Sequence, residues 1–83
     1  MFQVENAVPF RNGMILRGRF TVPGVRLLPG EVLVVEDTSQ MVRFNGVMNA
    51  NYTHDPSNPR YHISVAFDGD YQSLVGKTLK KLM

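Results

Sequence analysis

Alternation of apolar and polar residues from Met14 to Val22 leaves this chain little choice but an extended strand with two unlike faces. Met14, Leu16, Gly18, Phe20 and Val22 fall on one side, and Ile15, Arg17, Arg19 and Thr21 on the other. Successive side chains of a strand point to opposite faces, so the first set predicts a core face and the second an outer one. Two arginines then stand outside, roughly 7 Å apart by the strand rise. Gly18 lies on the inward side, where a missing side chain signals a tight bend or a close backbone approach.

The rest of the chain repeats this pattern. Short runs rich in Val, Ile, Leu and Phe recur at roughly 10–15-residue spacing with Gly, Pro, Asn or Asp between them, as expected of an all-β domain. Phe2, Val4 and Asn6 alternate with Gln3 and Glu5 in a first strand that Pro9 limits, and Arg11-Asn12-Gly13 supplies a turn. Val22-Pro23-Gly24 and Pro29-Gly30 turn the chain around a short segment, Val25 to Leu28. Val32 to Val35 lacks polar alternation and reads as a central strand covered on both sides. A polar turn over Glu36 to Ser39 precedes a strand from Gln40 to Met48, with Val42, Phe44 and Met48 inward and Met41, Arg43 and Asn45 outward. The stretch 49–60, with its prolines and asparagines, is a long surface loop. Tyr61 to Phe67 is a strand with Ile63, Val65 and Phe67 inward. Asp68-Gly69-Asp70 turns, a single helical turn or an irregular link is expected over Ser73 to Lys77, and Thr78 to Leu82 returns as the closing strand.

These elements predict one small β-barrel domain over residues 1–83. At 83 residues with no cysteine, neither a disulfide nor a thiolate metal site supplements the core. Met1 is followed at once by Phe-Gln-Val-Glu rather than a basic or apolar leader. The longest apolar stretch, Val32 to Val35, falls far short of the ~20 residues that span a bilayer. The expectation is a cytoplasmic protein without a membrane partner, and Asn51-Tyr-Thr53 is then a chance match to a glycosylation acceptor.

An order of motifs runs through almost the whole chain: Phe2-Gln-Val-Glu5, Gly13-Met-Ile-Leu-Arg-Gly18-Arg19-Phe, Gly24-Val-Arg-Leu-Leu-Pro-Gly30-Glu31-Val-Leu, and Leu74-Val-Gly76-Lys-Thr-Leu79. In this order the chain resembles the second domain of elongation factor Tu and related translation GTPases. The resemblance implies a closed six-stranded barrel. It also implies contact with RNA or the ribosome, with Arg19 at the Arg of the family's Gly-Arg pair and Glu31 at its acidic position after the second glycine. The span from Gly24 to Gly30 is a residue longer than the family's usual spacing, and the 49–60 loop replaces a short glycine turn. No Gly-x-x-x-x-Gly-Lys-Ser/Thr occurs, so the resemblance is to the barrel alone, without a nucleotide cofactor.

Catalysis asks for a nucleophile with a base, paired carboxylates or a metal site. His54, His62 and Asp55 match no ligand spacing, and Asp68 and Asp70 flank a turn glycine, so no enzyme, metal or other cofactor is expected. The basic residues carry the functional expectation. Arg17, Arg19, Arg26, Arg43, Lys80 and Lys81 are candidate nucleic-acid contacts that could track phosphates of RNA or a ribonucleoprotein, with Tyr52 and Tyr61 to stack on unpaired bases. The competing reading is solvated surface, since the net charge is only +2. An alternative is a protein-interaction module, a small regulator, inhibitor or accessory subunit. It would use the 49–60 loop with Met48, Tyr52, His54, Arg60 and Tyr61.

Overall fold

The structure is a computed structural model describing all residues except 12, 23, 51–53, 55 and 83. Six strands, β1 (Phe2–Phe10), β2 (Gly13–Phe20), β3 (Val32–Val35), β4 (Met41–Ala50), β5 (Tyr61–Ala66) and β6 (Thr78–Lys81), close into a barrel in the order β1-β2-β5-β4-β3-β6. Every neighbouring pair is antiparallel. Closure gives each strand two partners, which removes the exposed edges of an open sheet. No helix among the described residues is long and apolar enough to cross a membrane.

Phe2, Val4, Leu16, Leu33, Val35, Val42, Phe44, Ile63, Val65, Leu74 and Leu79 fill the interior, each essentially inaccessible to solvent. No described side-chain polar atom is buried without a partner. Gly18 is the point of closest approach between β1 and β2. A Cβ built there would lie 2.0 Å from the Gln3 carbonyl oxygen and 3.0 Å from the Phe2 ring, so only glycine fits.

Alternation fails where the ladder slips. Between Val4 and Asn6 the β1–β2 register shifts, leaving Glu5 as an extra residue. Beyond this bulge Ala7 faces the core and Asn6, expected inside, is exposed. β1 also runs past Pro9 to Phe10. The other neighbour, β6, pairs β1 only at Phe2 and Gln3, so a residue without an N–H is tolerated at Pro9. Two more shifts in β4, after Phe44 and after Val47, turn Met48 outward instead of inward. β2 ends at Phe20, so Val22 is exposed rather than core, and Val25 to Leu28 form no strand. Val32 to Val35 does hold a central place, with Leu33, Val34 and Val35 all buried.

Between β5 and β6 the chain makes one 3-10 turn, η1 (Tyr71–Leu74), slightly earlier than the sequence suggests. The Asp70 carboxylate caps it, accepting from the Gln72 N–H at 3.0 Å. Phe67 and Tyr71 pack on the core as Leu74 enters it, so this segment covers the barrel end from which β5 exits.

Candidate binding surface on the barrel wall

With the interior filled, recognition is left to the outer wall and the barrel ends. On the wall, β2 lies between β1 and β5, and its register lines up a polar row. Arg17 stands opposite Asn6 on β1 and His62 on β5, and His62 stands opposite Asn49 on β4. The Asn49 Nδ2 lies 3.1 Å from His62 Nδ1, a donor–acceptor pair when the imidazole proton sits on Nε2. Arg17 is exposed and has no ion pair among the described residues. Arg19, the next outward residue on β2, donates from Nε to Gln3 Oε1 at 3.1 Å. Its guanidinium is thereby oriented and keeps its other donors.

Beside the row runs a shallow groove of about 360 Å³ whose lining includes Val8, Phe10, Ile15, Arg17, Met48 and His62. Val8, Phe10 and Met48 are 50%, 42% and 48% exposed, an apolar strip that the sequence pattern does not announce. Both outward turns come from bulges, β1's at Glu5 and the two in β4, one after Phe44 and one at Met48 itself. Arg17 and Met48, expected to serve different kinds of partner, therefore line one surface.

The remaining basic residues do not extend this row. Arg43 stands opposite Ala66, four residues along β5 from His62 and so about 13 Å away along the strand, in a separate groove beside Asp68. Lys80 and Lys81 lie on β6, beyond β1, and the Lys81 Nζ sits 3.7 Å from Glu31 Oε1. Arg26 belongs to the β2–β3 connection, at the rim of the barrel end where β5 begins. The six basic candidates thus form a pair, Arg17 and Arg19, and four dispersed charges.

The loop candidates separate similarly. Arg60 turns to the wall, its Nε 2.7 Å from Glu5 Oε1 at the β1 bulge, and also bonds the Asn58 side chain. Tyr61 faces inward: its ring meets Phe20 edge-on at 5.0 Å and 73°, which removes it from the outer wall as a stacking platform. His54 is exposed with a positive φ of 57°. Tyr52 lies outside the described residues. Asp70 is occupied as the cap of η1, and no group of three or more His, Asp or Glu among the described residues is placed to hold a metal ion.

No family model matches the chain, and neither does any curated protein or solved structure.

Proposed function

We propose that this protein is a non-catalytic, cytoplasmic binding barrel that takes single-stranded RNA, free or within a ribonucleoprotein, on the wall formed by β1, β2 and β5. One observation carries the reading: Arg17 is exposed, free of any acidic partner among the described residues, and next to Arg19 on the same face. A pair of guanidinium groups at strand spacing can contact successive phosphates. Asn6, His62 and Asn49 in the same row offer hydrogen bonds, and Phe10 and Met48 offer surface on which an unpaired base can lie. The motif order shared with the second domain of elongation factor Tu supports the same class of partner.

The test is a fluorescence-anisotropy titration of unstructured RNA oligonucleotides at several salt concentrations. Binding should weaken with salt by about 0.7 log units per log unit for each phosphate contacted. Arg17→Glu with Arg19→Glu should lower the affinity at least about tenfold and flatten that slope. Both positions are exposed, so the fold should survive. Unchanged affinity in the double variant defeats the proposal.

The apolar strip of Val8, Phe10 and Met48 favours a second reading, a protein partner on the same wall. A purified complex that is lost in Met48→Asp yet kept in the double arginine variant would favour it over RNA.

A further inference from the structure

The barrel end at which β5 begins holds a groove of about 650 Å³, larger than the 360 Å³ groove on the wall. Phe20, Val25, Leu27, Val47 and Tyr61 form its sides, and Phe44, 2% exposed, forms its floor. Phe44 is held within the core, and the aromatic side is braced, because Phe20 stands edge-on to both Phe2 and Tyr61 with ring centroids 5.0 Å apart in each pair. The rim is not fixed in the same way. Thr21 N donates to the Met1 carbonyl at 2.8 Å and Gly30 N to the Phe44 carbonyl at 2.7 Å. Between these anchors the described residues of 22–27 make no backbone hydrogen bond. Leu27 packs on the core within this stretch, so the rim is held by its side chain rather than by a backbone ladder.

The charge at this mouth is one-sided. Arg26 is the single charged residue of the described lining, and it has no ion pair among the described residues. Val22 and Val47 are each 50% exposed, so apolar surface faces water directly beside that cation. The volume falls within the roughly 300–1,000 Å³ of sites that hold small molecules.

We propose that this mouth binds a small amphipathic carboxylate, a medium-length acyl chain lying along Val25, Leu27, Val47 and Tyr61 with its head group on Arg26. The tail removes the exposed valine surface from water, and the planar guanidinium meets a carboxylate through two parallel hydrogen bonds. The site uses neither Arg17 nor Arg19, so it stands or falls independently of RNA binding.

Decanoate, kept below its micelle-forming concentration, is titrated into the full chain and followed by amide chemical shifts, with decanol as the uncharged arm. Saturable shifts are expected at Val25, Leu27, Val47 and Tyr61 and not at η1. Decanol should bind roughly tenfold more weakly, Arg26→Ala should weaken decanoate by about the same factor, and Val47→Asp should abolish binding. Arg26 and Val47 are exposed, so both variants should keep the wild-type circular dichroism spectrum. Absence of saturation, equal affinity for decanol and decanoate, or shifts spread evenly over the barrel would each overturn the assignment.

Discussion

The two ends of this barrel are finished in opposite ways. Where β5 exits, Phe67, Tyr71 and Leu74 fold back over the interior, and Leu74 is fully buried. Where β5 enters, Phe20 and Tyr61 are half-buried as Phe67 and Tyr71 are, but no side chain enters there as Leu74 does, and Val22 and Val47 stand 50% open. Closing the wall satisfies the strand ladders all round, but it does nothing for the ends, which side chains must cover. Here a single 3-10 turn covers one end and leaves the other as a groove. The comparison separates the tasks: the sealed end stabilises the fold, and the open end is free to recognise something.

The sharpest way to break that comparison is to truncate one residue at each end. Leu74→Ala should cost about 2–5 kcal/mol, the range for removing a buried leucine and leaving a cavity. Val47→Ser should stay within about 0.5 kcal/mol, because little is buried there to lose. Urea unfolding of both variants decides the matter. Equal costs at the two ends would mean that the open groove is as much part of the core as the seal.

Next in size is Gly18→Ala, on the row just inside the open end. The new methyl group would press on a backbone oxygen 2.0 Å away, which cannot swing aside like a side chain. A cost at the upper limit of the about 1–3 kcal/mol of core overpacking is expected. A melting temperature equal to that of wild type would show that β1 and β2 can part near the mouth without consequence.

A smaller effect is expected from the clasp between Arg60, beside the open end, and Glu5. The side chains are 21% and 32% exposed, so solvent screens much of the attraction. A double-mutant cycle of Arg60→Ala and Glu5→Ala should give no more than about 1 kcal/mol of coupling. A larger value would make this clasp a structural part of the open end.

The sealed end was largely legible in the sequence and the open end was not, for a physical reason. Strands β2 and β5 sit near their expected places because burial alternates along each, and β3 because its unbroken apolar run is buried from Leu33 to Val35. Gly18 declared a close approach, and the approach is there. The β1 bulge at Glu5 carries no comparable sign, whereas the first β4 shift falls at Gly46, a strand glycine whose meaning shows only once the register is known. Alternation places Asn6 and Met48 in the core; the extra residue Glu5 reverses Asn6, and the two shifts in β4, after Phe44 and after Val47, put Met48 outside. The wall groove exists only because of these reversals, so alternation alone hides it. Tyr61 shares the inward parity of Ile63 and Val65, and its pairing opposite Gly18 keeps the ring on that side rather than with the loop before it. Arg17 and Arg19 stayed on one face because the slip opposite them places its extra residue, Glu5, in β1 and none in β2.

The smallest effect belongs to the sealed end and shows itself through pH. As the chain leaves η1, the Lys77 Nζ lies 2.7 Å from the Asp37 carboxylate in the β3–β4 turn. The hydrogen bond from Lys77, helped by its charge, holds the Asp37 carboxyl below its ordinary value of 3.8. A carboxyl whose pKa is lower in the folded state stabilises the fold above its unfolded pKa. That contribution disappears as the pH falls through the folded value. Wild type should therefore exceed Asp37→Asn slightly in stability at neutral pH, and the two curves should converge in acid. Because Asp37 is exposed, added salt should narrow the neutral-pH gap as well. Parallel pH profiles for the two proteins would mean that the ion pair contributes nothing, and that Leu74, Tyr71 and Phe67 hold the sealed end by packing alone.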